Sequence, residues 1–180
     1  MNVIKTAIDG VVIIEPKVFG DERGFSLETF QADRYQELGG IDLPFVQDNH
    51  SRSVKGVLRG LHFQVSKPQG KLVRVVSGEV YDVALDIRKE SPTFGKWEAV
   101  VLSEDNKKQF WVPPGFAHGF LCLGKENIVD YSCTNYRSIG HEYSLLYNDK
   151  KVNMKWPLKK IIISDKDKNA KTFNELLNKF

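Results

Sequence analysis

The amino-acid sequence predicts a mainly β fold, a sandwich or barrel of short strands, and three observations support this prediction. Short runs rich in Val, Ile, Leu and aromatic residues are separated by turn residues at positions 70, 77–78, 91–92 and 113–115. Roughly 8–12 residues lie between turns, which is the spacing that all-β sandwiches and barrels show. No long alternation of strands with helices occurs, which disfavours a doubly wound nucleotide-binding fold.

Eight segments are predicted as strands because each combines β-branched or aromatic residues with flanking turn signals. In chain order these segments are residues 11–15, 57–64, 71–76, 79–87, 97–102, 109–112, 119–122 and 128–134.

Two short helices are predicted to interrupt the strands. Residues 32–38 read as a surface helix that Gly39 and Gly40 terminate. Near the end of the sequence, Thr172 and Glu175 have the spacing of a capping box. The apolar residues of this C-terminal helix recur at helical spacing and are expected to pack on the sheet or on a partner subunit: Phe173, Leu176, Leu177 and Phe180.

Composition limits the function classes that need consideration. The chain has 180 residues, of which 41% are hydrophobic, so we expect one folded domain spanning residues 1–180. The charge balance of 26 basic against 23 acidic residues does not favour nucleic-acid binding. The two cysteines, Cys122 and Cys133, exclude a disulfide scaffold and a cysteine-based zinc finger. No signal peptide or membrane-spanning stretch is recognisable, and a cytoplasmic location is expected.

The predicted strand at residues 57–64 carries polar groups that are difficult to explain by packing alone. Strict alternation places His62 and Gln64 on one face and Arg59 on the other. Two polar side chains on one face are costly to bury without a purpose. A bulge at Gly60 would let Arg59 and His62 converge on one site.

Other polar residues have simpler structural explanations when each is taken alone. Residues 45–51 end in a polar run that reads as a loop, and Arg23 lies in a turn between two glycines. Lys71 opens a strand, where a lysine is usually exposed, and Tyr131 lies within a strand, where a tyrosine usually packs. No His-x-His pair is present, so a metal site built from His62, His118 and a carboxylate is the less favoured alternative.

Taken together, these segments resemble the dTDP-4-dehydrorhamnose 3,5-epimerases. The resemblance is collinear from near the N-terminus to about residue 136, and it resumes at residues 156–157 and 164–167. The matching motifs occupy residues 19–25, 47–51, 56–62, 69–74, 86–88, 91–97 and 114–120. The resemblance implies a cupin-type jelly roll that forms a homodimer with shared active-site lining and uses no metal or organic cofactor.

The same resemblance implies a substrate and a set of roles. Members of the family invert carbons 3 and 5 of dTDP-4-dehydro-6-deoxy-D-glucose, which gives dTDP-4-dehydro-L-rhamnose, the precursor of dTDP-L-rhamnose. By match to the family motifs, His62 is expected to be the base, Tyr131 the acid, Asp167 the residue that orients His62, and Lys71 the cation that stabilises the enolate. The remaining residues expected to line the nucleotide-sugar site are Phe19, Arg23, Glu28, Gln47, Asp48, Asn49, Arg59, His118, Tyr136, Glu142 and Lys166, with Phe19 and Tyr136 near the thymine.

One departure from the family pattern and two rival functions accompany this interpretation. The family often has a second tyrosine where this sequence has Arg137. Within the same fold, the chain could invert one carbon only or isomerise a related nucleotide-linked 4-keto-6-deoxy sugar. A jelly-roll module that binds sugar without catalysis is the rival from another class, and such a binder would not need Lys71, Tyr131 and Asp167 in addition to His62.

Overall fold

The computed structural model describes residues 1–180 and contains thirteen strands and two short helices. The strands are β1 (Asn2–Lys5), β2 (Val12–Glu15), β3 (Val18–Asp21), β4 (Gly24–Leu27), β5 (Gln47–Val54), β6 (Leu58–Gln64), β7 (Lys71–Ser77), β8 (Glu79–Asp86), β9 (Trp97–Ser103), β10 (Gln109–Val112), β11 (Phe116–Cys122), β12 (Glu126–Cys133) and β13 (Glu142–Ser144). The helices are α1 (Ala32–Gly39) and α2 (Asp165–Lys168), and single 3₁₀ turns occupy Ile139–His141 and Asn174–Leu176. None of the helices has the length and apolar character that crossing a membrane requires.

Two antiparallel sheets form a sandwich, which confirms the predicted mainly β fold. The six-stranded sheet has the order β1-β2-β10-β7-β12-β5, and the five-stranded sheet has the order β13-β6-β11-β8-β9. Strands β3 and β4 pair only with each other and form a separate hairpin. The non-consecutive strand order means that residues distant in the chain meet inside the sandwich.

Three apolar clusters hold the layers together. The largest fills the space between the sheets and includes Val73 and Phe110 from one sheet and Phe120 from the other. A second cluster covers the outer face of the five-stranded sheet, and a third lies under α1 on the outer face of the six-stranded sheet, where Tyr35 is fully buried. The Tyr35 hydroxyl donates a hydrogen bond to Gln109 Oε1 at 2.8 Å. Successive residues of a strand therefore pack on opposite faces of the sheet. The inward residues fill the sandwich, and the outward residues are covered by loops and helices.

All eight predicted strands are present, but the loop interpretation of residues 45–51 is wrong for residues 47–51 and holds only for residues 45 and 46. Residues 47–54 form β5, which pairs with β12 along its whole length. Its polar sequence carries no apolar run, and its burial alternates between half-buried or buried and exposed positions. Pairing with a partner 80 residues away makes this segment a strand, and no local signal reports that pairing.

The predicted helix α1 is present, whereas the C-terminal segment forms only one 3₁₀ turn. The capping-box bonds do form, since the Thr172 N–H donates to Glu175 Oε2 at 2.8 Å and the Glu175 N–H donates to Thr172 Oγ1 at 3.4 Å. Phe173 and Leu176 are buried against the five-stranded sheet, as expected for the apolar stripe. A helix this short gains few internal hydrogen bonds, so the packing of its aromatic residues determines its conformation.

Candidate active site

A cleft of about 630 Å³ lies between the two sheets and collects most of the polar residues that the sequence singled out. Its lining comes from strands β5, β6, β7, β11, β12 and β13, from α2 and from the segment that leads into α2. Nine of the predicted site residues line it: Asn49, Arg59, His62, Lys71, His118, Tyr131, Glu142, Lys166 and Asp167.

A bulge in β6 brings two of these residues to the same side. His62 pairs with His118 on β11, but Arg59 pairs with Phe120, so β6 has one extra residue in this interval. Gly60 lies there with a φ of 118°, and a Cβ at this position would come within 2.6 Å of the Gly119 Cα. The bulge therefore requires glycine, and it lets Arg59 and His62 both line the cleft, as the sequence predicted.

His62 and Asp167 form a hydrogen-bonded pair although 105 residues separate them. His62 Nε2 lies 2.7 Å from Asp167 Oδ1, and the Asp167 side chain is only 6% exposed. Burial alone would raise the pKa of Asp167, but the hydrogen bond from His62 and the positive charge that His62 can carry outweigh burial and lower it. An ionised carboxylate only accepts hydrogen bonds, so Nε2 carries the proton and Nδ1 is the basic nitrogen of the neutral ring.

The start of α2 holds Asp167 in this position. Ser164 is the N-cap residue, and its hydroxyl accepts a hydrogen bond from the Asp167 backbone N–H at 3.2 Å. Upstream of the helix, the Leu58 N–H donates to the Ile162 carbonyl at 2.9 Å, which fastens the segment to β6. Ser144 on β13 also donates its hydroxyl to Asp167 Oδ1 at 3.3 Å. The backbone bonds therefore fix the position of Asp167, and His62 and Ser144 hold its carboxylate directly.

Lys71 and Tyr131 belong to the opposite sheet from His62. Lys71 begins β7 and Tyr131 lies on β12, both in the six-stranded sheet, whereas His62 lies on β6 in the five-stranded sheet. Burial lowers the pKa of the Lys71 ammonium, while the nearby Cys133, Asp82 and Glu142 oppose that change. Burial raises the pKa of the Tyr131 phenol, which keeps it protonated at neutral pH. The cleft thus presents an imidazole on one wall and a phenol and an ammonium on the other.

His118 has a carboxylate partner that the sequence analysis missed. Its Nε2 lies 2.8 Å from Asp82 Oδ1, and both side chains are buried between β11 and β8. Burial lowers the pKa of His118, and Asp82 opposes that effect. Asp82 stands among apolar residues on the inward face of β8, and this charge within an apolar run was a signal that could have identified it.

The pairs His62–Asp167 and His118–Asp82 are relevant to the alternative that His62 and His118 bind a metal ion together. The two histidines are cross-strand neighbours, but each directs Nε2 to a carboxylate of its own. No three His, Cys, Asp or Glu side chains come together as a ligand set. The arrangement consists of two separate His–Asp pairs.

Glu142 forms the centre of an ionic cluster at the cleft mouth. It accepts hydrogen bonds from Arg137 Nε at 2.7 Å and from Lys166 Nζ. Burial would raise the pKa of Glu142, but these two cations outweigh burial and lower it to about 2. Arg137 was noted in the sequence only as a departure from the family, and the structure adds it to the cleft lining.

Six predicted residues lie outside the cleft in the single chain. Gln47 and Tyr136 are at its mouth, since Gln47 Oε1 accepts a hydrogen bond from the Arg137 N–H and the Tyr136 carbonyl accepts one from Gln64. Asp48 accepts a hydrogen bond from Ser132 on the outer face of the six-stranded sheet.

The other three outlying residues belong to or follow the separate hairpin. Phe19 is 59% exposed on β3, and Arg23, in the turn, is paired with Asp21. Glu28 follows β4 and is paired with Arg34. The hairpin does not return to the cleft of its own chain, so these residues do not reach the site that the other nine share.

Comparisons with known proteins agree on one family. The family model described as dTDP-4-dehydrorhamnose 3,5-epimerase matches residues 5–175. The dTDP-4-dehydrorhamnose 3,5-epimerase of Shigella flexneri is 56% identical over 174 residues, which is 96% of each chain. The crystal structure of dTDP-6-deoxy-D-glucose-3,5-epimerase from Legionella pneumophila, in complex with dTDP-4-keto-L-rhamnose, is 56% identical with a TM-score of 0.94, and the match covers 96% of this chain and 93% of that one.

A more distant solved relative is also informative. A 3′-monoepimerase from Streptomyces bikiniensis, in complex with dTDP-quinovose, is 31% identical with a TM-score of 0.89 and is matched over 96% of this chain and 88% of its own. These structural matches confirm the cupin-type jelly roll that the sequence resemblance implied. Because the family model spans nearly the whole chain and close relatives match at more than half identity, the chain belongs to the dTDP-4-dehydrorhamnose 3,5-epimerase family of isomerases.

Proposed function

We propose that this chain inverts carbons 3 and 5 of dTDP-4-dehydro-6-deoxy-D-glucose to give dTDP-4-dehydro-L-rhamnose, without a cofactor. One observation carries the mechanistic part of the proposal: the two sheets present His62 and Tyr131 from opposite walls of the same cleft. Inversion at a carbon requires that a proton leave from one side and return from the other. A base and an acid on facing walls satisfy that requirement.

The chemistry explains why Lys71 is needed in addition to the base. Both carbons flank the 4-keto group, so each proton is acidic only because an enolate can form. Proton removal by a neutral imidazole crosses roughly a dozen pKa units, or about 16 kcal/mol at about 1.36 kcal/mol per unit. A general base alone does not cover that difference. An ammonium beside the developing oxyanion, in a partly buried site, supplies a large share of the stabilisation.

His62 is proposed as the base because its geometry prepares one nitrogen for the task. Asp167 accepts the Nε2 hydrogen bond at 2.7 Å, which leaves Nδ1 to take the proton from carbon. When the ring becomes an imidazolium, the carboxylate stabilises the new charge. Asp167 therefore orients and polarises the base, and it does not itself touch the substrate.

Tyr131 is proposed as the acid because burial keeps the phenol protonated. Its O–H bond breaks as a new C–H bond forms on the enolate carbon, and the C4 carbonyl is restored. Each inversion moves one proton out to His62 and one proton in from Tyr131. Solvent then takes the proton from His62 and returns one to Tyr131, which restores both groups, and no oxidant or reductant takes part.

The diphosphate and the nucleotide are proposed to occupy the mouth of the cleft. Arg59 and Lys166 line it and supply positive charge, and an arginine fork suits a diphosphate. Phe19, Arg23 and Glu28 lie on or beside an exposed hairpin whose aromatic residues are unusually accessible, with Phe25 at 61%. We propose that this hairpin reaches the cleft of a second copy of the chain in a homodimer, which would give the shared lining expected from the sequence.

A single-carbon epimerase is the second candidate function, and one observation favours it. A relative with the same fold and 31% identity is a 3′-monoepimerase. A His–Tyr pair is compatible with one inversion or two, so the pair alone does not distinguish the two functions. The number of sugar carbons that exchange a proton with solvent distinguishes them.

One experiment tests the proposal. Purified protein is incubated with dTDP-4-dehydro-6-deoxy-D-glucose in deuterium oxide, and the sugar protons are followed by NMR. We expect deuterium at both carbon 3 and carbon 5 with inverted configuration at both. Deuterium at carbon 3 alone would establish the single-carbon function, and binding without any exchange would establish the sugar-binding module.

A further inference from the structure

The loop after β12 carries Arg137, and hydrogen bonds hold the backbone of this loop beside the cleft. Gln64 is buried, and it holds the loop twice, since its Nε2 donates to the Tyr136 carbonyl and its Oε1 accepts from the Ser138 N–H at 2.7 Å. Gln47 accepts from the Arg137 N–H at 2.9 Å. The backbone of residues 136–138 is therefore fixed by two glutamines from two different strands, and the Arg137 side chain starts from a rigid position.

The Arg137 guanidinium is attached on one side only. Its Nε donates to Glu142 Oε2, and Lys166 binds the other oxygen of the same carboxylate. Two cations on one ionised carboxylate leave a net positive charge at this point of the cleft. Glu142 orients the guanidinium plane, and the terminal nitrogens of Arg137 have no hydrogen bond within the chain.

Tyr131 lines the same cleft as Arg137, Glu142 and Lys166. Four charged or titratable side chains act on it: Arg59 and Arg137 lower the pKa of the phenol, whereas Cys133 and Glu142 raise it, in addition to the larger effect of burial. Asn49, the residue opposite Tyr131 on β5, is neutral. Four cations line the cleft together with Tyr131: Arg59, Lys71, Arg137 and Lys166. Of these, Arg59 and Arg137 lower the pKa of the phenol, and Lys166 is paired with Glu142.

We propose that Arg137 is a positioning residue for proton donation, and that its guanidinium, oriented by Glu142, stabilises the phenolate that Tyr131 becomes when it protonates the enolate carbon. This inference rests on the proposed function, because it assumes that Tyr131 is the acid. The donation step breaks the Tyr131 O–H bond, forms a C–H bond on the sugar and leaves a negative charge on the phenol oxygen. A fixed cation beside that oxygen lowers the energy of the product of this step. Solvent then returns a proton to Tyr131.

The titration of Tyr131 can be measured directly without turnover. Protein labelled with ¹³C at the tyrosine Cζ is titrated by NMR, and the Tyr131 signal is identified by its loss in Tyr131→Phe. We expect Tyr131 to titrate at higher pH in Arg137→Gln than in the parent protein. Arg137→Lys keeps the charge and is expected to titrate nearer to the parent. Arg52→Gln removes an exposed, ion-paired arginine elsewhere on β5 and is expected to leave the Tyr131 titration unchanged.

Turnover supplies the second readout. In Arg137→Gln, net inversion should fall by about three- to tenfold, while exchange of solvent deuterium with retained configuration should persist, because His62 and Lys71 are untouched. An unchanged Tyr131 titration in Arg137→Gln would overturn the inference, as would an equal shift in Arg137→Lys and Arg137→Gln. Failure of the proposed function would be seen separately, in the parent protein, as exchange at carbon 3 alone or as no exchange. Normal inversion in Tyr131→Phe would show instead that Tyr131 is not the acid.

Discussion

Replacing Asp167 with asparagine tests whether the carboxylate acts through His62. The change keeps the size of the side chain and a hydrogen-bonding oxygen, but it removes the negative charge that lies 2.7 Å from His62 Nε2. The amide oxygen can still accept from Nε2, so the orientation of the ring should survive. The expected loss is therefore the electrostatic stabilisation of the imidazolium that forms when His62 takes a proton from the sugar.

The structure sets the size of that loss. Two unit charges about 4 Å apart interact by about 4 kcal/mol at an effective dielectric constant of about 20, which is an upper bound for a pair whose histidine is partly exposed. A hydrogen bond to a charged group contributes about 1.5–3 kcal/mol. We use the hydrogen-bond range, because the 4 kcal/mol figure is an upper bound. At about 1.36 kcal/mol per factor of ten, that range corresponds to a fall in turnover on the order of 10- to 10²-fold. His62→Asn removes the base itself and should lower turnover on the order of 10²- to 10⁴-fold.

The assay is the rate of epimerisation under saturating substrate, measured alongside the thermal unfolding midpoint. Asp165→Asn is the matched control, because it makes the same change two residues earlier on α2 at an exposed position. That control should turn over at nearly the parent rate. A normal rate in a well-folded Asp167→Asn would refute the polarising role, and a loss as large as that of His62→Asn would show that the carboxylate does more than polarise the ring.

Three further predictions concern metal, assembly and stability. Extensive chelation should leave the epimerisation rate unchanged, and a loss that zinc, iron or manganese restores would instead make His62 and His118 metal ligands. Light scattering should give about twice the chain mass of 20.5 kDa, and a monomer with full activity at assay dilution would contradict the shared site. Asp86 is fully buried, and although burial would raise its pKa, hydrogen bonds from Arg88, Ser91 and Thr93 lower it to about 2. Because this pKa is depressed in the folded protein, Asp86→Asn should lower the free energy of unfolding by about 2 kcal/mol from neutral pH down to about pH 4. The difference in unfolding free energy between the variant and the parent should shrink as the pH approaches 2. A difference that does not change with pH would contradict this prediction.

The apolar strands and α1 could be predicted from the sequence because their signals are local. Strand β8 combines β-branched residues with flanking turns, and Gly40 ends α1 with a φ of 67°. The polar strand β5 and the hairpin of β3 and β4 could not be predicted in this way. β5 is a strand because β12 pairs with it, and the hairpin has no core of its own to impose an apolar pattern.

Some features of the site could likewise be predicted from the local sequence, whereas others depend on residues that are far apart in the chain. Gly60 within a strand indicated a bulge that brings Arg59 and His62 together, and the structure contains that bulge. The pairing of His62 with Asp167 depends on a loop that returns to β6 from 105 residues away, and only the family resemblance indicated it. Asp82 has a local signal, because it is a charged residue within an apolar run. The position of Arg137 beside the cleft depends on contacts of Gln64 and Gln47 that no local pattern shows.

The most direct test of the account separates the acid from the base by substituting Tyr131 with phenylalanine and following the substrate in deuterium oxide. This substitution removes one hydroxyl and little volume, so binding should survive, and His62 and Lys71 should still form the enolate. With no donor on the other wall, a deuteron can return only from the His62 side. We expect exchange of solvent deuterium into the substrate with retained configuration, together with a steep loss of net inversion. Normal inversion would contradict it by making Tyr131 structural, and an equal loss of exchange and inversion would place Tyr131 in enolate formation instead.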